Sequence, residues 1–331
     1  MSITIRQPGI LTMIQDLGRY GEQKYGVIVG GAMDPISLRI ANILVRNEQS
    51  EGGLEIVLFG LSFQFNEDTL IAITGGQLHP TIDGKPAPMW RPIRVPKGAI
   101  LQFKSGHSGS RAYIAFAGGI NVPKVLGSKS TYLNAKIGGF EGRALQAGDT
   151  LNFGKMSEES HTLMNQLETD QEPLWLVNYQ DFIPFNKHKT IRIVKGSEYD
   201  KFDQESLDAI LNEQYTLTTH ADRMGYKLEG HPLKMTEEFD LISEGVTFGT
   251  IQVPSSGQPI ILMADRQTVG GYPKIAQVIS ADLPKLAQSL PMNQMRFQLV
   301  TIREAEQALM NREQALKLLE TSIRLKIWKG V

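Results

Sequence analysis

Apolar and polar side chains alternate along much of this chain with a period of two, and that alternation predicts short strands. Leu54, Ile56 and Leu58 alternate with Glu55, Val57 and Phe59, while Phe63 and Phe65 alternate with Ser62 and Gln64. Successive side chains of a strand point to opposite faces, so this spacing lets one face pack while the other meets water or a second layer. Similar runs at 70–74, 99–103, 112–117, 190–194, 250–253 and 296–300 predict further strands. Asp83 and Gly84 separate two extended segments and predict a tight hairpin turn, since both residue types tolerate the positive φ such turns demand. Many short strands with frequent turns argue for sandwiches or barrels over a parallel α/β sheet.

Helical spacing is rarer. Asp34 precedes Pro35, and Ile36, Ile40 and Leu44 then share one face, which predicts a helix over 35–45 with Asp34 as its cap. The carboxylate can accept the orphan amide protons of the first turn, and proline has none to satisfy. Further helices are expected at 204–211, 282–290 and 302–319. The segment 155–173 is polar and shows no clear periodicity, so the domain boundary is placed there, giving domains 1–172 and 173–331. About two domains is also what 331 residues suggest.

Composition narrows the function classes. Thirty-four basic residues against 35 acidic ones leave a net charge of −1 and no basic cluster, so no nucleic-acid partner is expected. The chain has no cysteine, which excludes disulfides, thiolate ligands and a cysteine nucleophile and fits a reducing cytoplasm. No apolar run approaches the ~20 residues of a membrane span, and residues 1–10 read as mature protein and not as a signal peptide. The six histidines at 79, 107, 161, 188, 220 and 231 show no metal spacing, and no metal is expected. There is no phosphate-binding Gly-x-x-x-x-Gly-Lys-Ser/Thr loop and no Ala-Met-Lys-Met lysine for biotin. A self-contained ATP site and covalent biotin are therefore not expected in this chain.

Chemistry concentrates after the apolar run 259–263, where residues 264–274 read Ala-Asp-Arg-Gln-Thr-Val-Gly-Gly-Tyr-Pro-Lys. Gly270 and Gly271 allow backbone to come close to a ligand. Arg266 offers a planar fork for a carboxylate or phosphate, or else pairs with Asp265 or Glu244. Arg223, in the upstream run 221–230, has the same two readings: an anion clamp or a structural tie. Lys274 can steady developing negative charge or simply be a solvated lysine. Tyr272 and Tyr226 can supply phenolic donors or flat walls, with buried tyrosines as the alternative. Glu244, Asp265 and Glu229 are the carboxylates available as general bases, a role that needs a raised pKa. Gln252, Gln258 and Gln267 can pair with an amide substrate or with strand-edge backbone. Gln15, Asp16 and Arg19 read as structural.

Several of these stretches carry a resemblance. Residues 221–230 (Ala-Asp-Arg-Met-Gly-Tyr-Lys-Leu-Glu-Gly), 243–245 (Ser-Glu-Gly), 249–254 (Gly-Thr-Ile-Gln-Val-Pro), 264–274 and 279–283 (Ile-Ser-Ala-Asp-Leu) resemble the family of 5-oxoprolinase C subunits. Members were formerly called allophanate hydrolase subunit 2 or antagonists of the Kip kinase inhibitor (KipI). They also resemble the carboxyltransferase region of urea carboxylase. Residues 15–19 (Gln-Asp-Leu-Gly-Arg), 30–34 (Gly-Gly-Ala-Met-Asp) and 138–145 (Gly-Gly-Phe-Glu-Gly-Arg-Ala-Leu) fit the same pattern, so the similarity spans about 5–300. Lys227 stands where arginine is expected, and Phe248 where proline is expected. Lysine keeps the charge but loses the bidentate fork.

The resemblance implies a mainly β fold of two cyclophilin-like β-barrel domains with a few short helices and a C-terminal helix. It implies a heteromeric complex with a KipI-like B subunit and an A subunit of the LamB/YcsF type. That complex opens 5-oxo-L-proline to L-glutamate while hydrolysing ATP. Arg266, Lys274, Glu244 and Asp265 are then the catalytic candidates, and Arg223, Tyr226, Gln252, Gln267, Gly270, Gly271 and Tyr272 the substrate-binding ones. The alternatives are carboxyl transfer with a separate biotin protein, or regulation of a Kip-type kinase inhibitor.

Overall fold

The computed structural model describes residues 1–104, 106, 108–167, 175–182, 188–237 and 241–329. The chain is mainly β and forms two compact units, neither of them contiguous. The first comprises Met1–Arg19, Asp34–Pro184 and Gln314–Val331; the second comprises Tyr20–Met33 and Phe185–Glu313. The expected division at 172/173 lies outside the described residues.

In the second unit, alternation closes a barrel. Its seven strands follow the order His188–Lys195, Lys274–Val278, Thr250–Gln252, Ile260–Leu262, Gly225–Glu229, Tyr215–Ala221 and Gln294–Leu299. The last strand returns to pair in parallel with the first, Ile191 opposite Phe297, so no edge is left open. Inward residues of these strands, including Ile191, Ile193, Leu217, Tyr226, Leu228, Ile251 and Ile261, make one buried core. Each such side chain contributes roughly 1.5–3 kcal/mol by leaving water.

The first unit arranges its strands as two sheets. One runs Thr150–Asn152, Ser2–Pro8, Leu61–Phe65, Ile100–Phe103, Pro80–Ile82, Lys85–Pro86; the other runs Leu11–Gln15, Gly53–Val57, Ser108–Phe116, Thr69–Gln77, Pro92–Val95. Of the two expected barrels, one is thus a closed ring. The six-stranded sheet ends in a two-residue strand carrying Pro86, which has no N–H to extend the ladder. Asp83 and Gly84 form the expected turn, with φ of 49° and 80°.

The helix Pro35–Leu44 carries the expected cap, Asp34 accepting from the Ser37 amide at 3.0 Å. Three other helices differ from the sequence reading. Within 155–173 lies a helix, Glu158–Gln166, started by Ser157 accepting from the Ser160 amide and by two glutamates in its first turn. The helix expected over 282–290 is only Leu283–Ala287. Asp282 does not cap it, because its carboxylate binds Arg192 at 2.7 and 3.1 Å and Lys285 at 3.0 Å. The last helix runs Ile302–Lys329, ten residues past 319, since no glycine or proline interrupts the chain before Gly330.

Candidate functional site

A cavity of about 640 Å³ opens in the second unit, within the usual range for small-molecule sites. Three pieces of chain build it. The hairpin joining Tyr215–Ala221 to Gly225–Glu229 supplies one wall, held by Asp222, whose carboxylate accepts the amides of Met224 and Gly225 at 2.8 and 3.0 Å. Barrel strands supply Gln252, Ile260 and Leu262. The chemically rich loop supplies Arg266, Gln267, Val269, Gly270, Gly271 and Tyr272. A short ribbon, Glu244–Gly245 paired with Val269–Gly270, forms the rim.

Arg266 is 8% exposed, and its partners are all main-chain carbonyls: Val246 at 3.3 Å, Ala264 at 3.4 Å and Met263 at 3.5 Å. Both carboxylates that could have neutralised it are committed elsewhere. Asp265 takes Arg223 in a bidentate pair at 2.8 and 2.8 Å, and Glu244 lies 3.4 Å from Lys274. Burial pushes the Arg266 guanidinium below its usual range, and Tyr20 and Asp265 only partly oppose this. A cation in such a setting attracts an anion strongly, because solvent screens it little.

Gln252 is 5% exposed and its side-chain nitrogen has no hydrogen-bond partner. An orphan amide donor costs stability wherever it is buried, and Gln252 is one of the residues that line the cavity. Gly270 makes this arrangement feasible: a Cβ at that position would collide with the Gln252 amide nitrogen. Here the glycine gives the amide its space.

Six of the expected residues therefore share one cavity: Arg266, Gln252, Gln267, Gly270, Gly271 and Tyr272. The others are placed differently. Arg223 is buried, with its guanidinium bonded to Asp265 and the Gly31 carbonyl, all within the second unit, and it is not among the residues lining the cavity. Tyr226 is 1% exposed in the barrel core and lines no wall of the cavity. Strand alternation explains this: Tyr226 points inward and Lys227 outward, so the cavity receives the lysine. Lys274 is buried between Glu198 at 3.3 Å and Glu244, away from the cavity lining. Burial raises the Glu198 carboxyl, yet the Lys274 amide, the Ser197 hydroxyl and the Lys274 ammonium together hold it below the usual range. Glu229 is exposed, and Gln258 is absorbed by the backbone of Gly230 through bonds of 3.0 and 3.1 Å.

Sequence reasoning missed Asp222 and Lys227 as cavity residues, although the alternation in 225–229 carried the signal for the second. His220 lines the cavity and is exposed. His107 lies outside the described residues. No helix among the described residues is long and apolar enough to cross a membrane.

Known proteins share this chain's sequence and fold. A family model described as "Carboxyltransferase domain, subdomain A and B" matches residues 25–299. The chain is 40% identical over 309 residues to the 5-oxoprolinase C subunit of Escherichia coli, covering 92% of this chain and 94% of that protein. It is 39% identical over 292 residues to the 5-oxoprolinase C subunit of Haemophilus influenzae, covering 88% and 89%. Among solved structures, the K. lactis urea amidolyase matches with a TM-score of 0.84 at 27% identity over 95% of this chain, which spans only 20% of that protein.

Proposed function

The chain belongs to the carboxyltransferase-domain family, among its 5-oxoprolinase C-subunit members, and from that premise we propose that it is the C subunit of an ATP-dependent 5-oxoprolinase. In this reading it acts in the cytoplasm with the B and A subunits, and the complex converts 5-oxo-L-proline to L-glutamate. One observation carries the assignment of the site. The buried Arg266 guanidinium, bonded only to carbonyls, shares a cavity wall with the unpartnered Gln252 amide. 5-Oxoproline presents the matching groups, a carboxylate and a lactam carbonyl, on one small ring.

A five-membered lactam is a poor electrophile. ATP would supply the phosphoryl group that activates the lactam oxygen, leaving ADP; one water then adds at the ring carbon and the C–N bond breaks to leave an acyl phosphate, which a second water cleaves to L-glutamate and phosphate. The residues of this chain bind and orient. Arg266 holds the carboxylate, Gln252 donates to the lactam oxygen, and Tyr272 closes over the ring from the half-exposed rim. Lys227 adds positive charge near the oxygen or its phosphate. Lys274 and Glu244 brace the rim by their ion pair, in place of the catalytic roles their residue types suggest.

The test is ATP hydrolysis dependent on 5-oxo-L-proline, measured with the B and A subunits and with each omitted in turn. Turnover that requires this chain and collapses in a folded Arg266→Ala variant is the expected result. A complete complex that 5-oxoproline does not stimulate would sink the reading.

Carboxyl transfer is the second reading, favoured by the matched family model and by the same Gln252 donor, since the ureido ring of biotin also presents a cyclic amide oxygen. No covalent biotin is assigned to this chain, so that reading requires a separate biotin protein. Dependence of turnover on added biotinylated carrier distinguishes the two.

A further inference from the structure

The strand Tyr215–Ala221 changes its habit where it reaches the cavity of the second unit. From Tyr215 to Thr218 buried and half-buried positions alternate, and then Thr219 and His220 are both exposed. Pairing with the strand Gly225–Glu229 explains the break. Leu217 stands opposite Leu228 and Ala221 opposite Tyr226, so Thr218, Thr219 and His220 bulge against Lys227 alone. The Thr218 hydroxyl fixes the bulge, donating to the Lys227 carbonyl at 3.0 Å and accepting from the His220 amide at 3.3 Å.

A bulge re-aims the side chains it carries. In a regular strand, successive side chains leave on opposite faces, yet Thr219, His220 and Ala221 line the cavity in succession. His220 thereby joins Arg266 and Gln252 in one lining, and its imidazole has no hydrogen bond or ion pair among the described residues.

Lactam opening calls for a group of this kind. In the activated ring the lactam oxygen carries the phosphoryl group, and the nitrogen, having lost its proton, is doubly bonded to carbon. Water adds at that carbon and the C–N electron pairs pass to nitrogen. Both protons of the water end on the nitrogen, while its oxygen becomes the carbonyl of the acyl phosphate. Direct transfer from oxygen to nitrogen would pass through a strained four-membered ring, so a carrier must take each proton and return it. Imidazole does both near neutral pH. The other polar groups of the lining are poorer carriers. The Lys227 ammonium and Arg266 guanidinium have no lone pair to accept a proton, and the Tyr272 phenol is a poor base. The Asp222 carboxylate is already bonded to the amides of Met224 and Gly225.

Resting on the oxoprolinase reading above, we propose that His220 is a further catalytic residue of this cavity, the proton carrier from the attacking water to the ring nitrogen. Arg266 and Gln252 hold the substrate, and His220 serves the bond-breaking step alone.

The test uses the complete complex with the B and A subunits. His220 is exposed, so His220→Ala and His220→Gln should melt as the wild type does. With 5-oxo-L-proline both should lose roughly 100-fold or more in kcat, while KM moves by less than about threefold. Free imidazole should restore turnover saturably in His220→Ala, whose emptied space it can enter. It should not do so in His220→Gln, where the amide fills that space, or in Arg266→Ala. Wild-type kcat in either variant, a loss confined to KM, or no rescue of His220→Ala overturns the assignment while the wild type still turns over. A wild-type complex that 5-oxoproline does not stimulate removes the oxoprolinase reading, and this role with it.

Discussion

Two polar clusters, one in each unit, look alike in sequence and opposite in structure. Around Asp16 four donors converge on one carboxylate. Its carboxylate accepts from the Gly18 amide at 2.8 Å, the Ser128 hydroxyl at 2.7 Å, the Lys129 amide at 2.6 Å and the Ser130 hydroxyl at 2.5 Å. Around Arg266 and Gln252 the donors are left weakly answered or unanswered. Both stretches combine charge, amide and glycine. The contrast teaches that residue type alone does not mark a site; what marks it is bonding capacity the fold does not use.

The largest effect should come from breaking the satisfied cluster. Asp16→Ala orphans four donors at once and should cost about 4 kcal/mol of stability, read as a fall in denaturation midpoint. If the variant unfolds at the wild-type midpoint, the cluster is not structural. Arg266→Ala should do the reverse. We expect at least ~100-fold loss of oxoproline-dependent turnover, about 2.7 kcal/mol, with the melting temperature nearly unchanged. Equal losses in stability and turnover would erase the distinction between the clusters.

Gly270→Ala sharpens it further. The added methyl meets the far end of the Gln252 side chain, which can swing away, and a Val246 methyl at 3.2 Å, so stability should fall little while substrate affinity falls about tenfold. Unchanged affinity would remove Gln252 from the binding wall.

The smallest effect concerns Lys189, a buried cation of the second unit whose ammonium donates to the Lys285 carbonyl at 2.8 Å and the Ser289 hydroxyl at 2.9 Å. Burial, with the Lys285 ammonium adding to it, brings its pKa down from 10.5 to about 7. Between those values the unfolded chain holds a proton that the folded one releases, so Lys189 makes stability rise with pH across this window. Lys189→Met should flatten the rise by about 1 kcal/mol per pH unit, measured as the difference between wild-type and variant melts from pH 7 upward. Parallel profiles would show that the lysine keeps its charge on folding.

Much of the fold was legible wherever the signal was local. Asp34 before Pro35, Asp83 before Gly84 and the alternations in 54–65 each specify their element from neighbours a few residues away. The helix Glu158–Gln166 was equally legible from Ser157 and the two glutamates, but its polar composition hid it. The chemistry of the loop 264–272 was also visible, and most of its residues do meet in one cavity. Which carboxylate pairs with which cation was not. Asp265 finds Arg223 42 residues away, and Lys274 finds Glu198 at a separation of 76. Such pairings are set by barrel closure and not by spacing. They pair Arg223, and not Arg266, with the Asp265 carboxylate.

The final helix, Ile302–Lys329, has a consequence for how the molecule is made. Leu316 and Ile323 are each 1% exposed, and Gln49 holds Glu320 at 2.8 Å, all within the first unit. During synthesis the bulk of that unit leaves the ribosome first, yet its closing piece follows only after Phe185–Glu313 of the second unit has been made. At ordinary elongation rates the wait is on the order of ten seconds. Throughout it, the surface destined for Leu316 and Ile323 stays bare on the nascent chain.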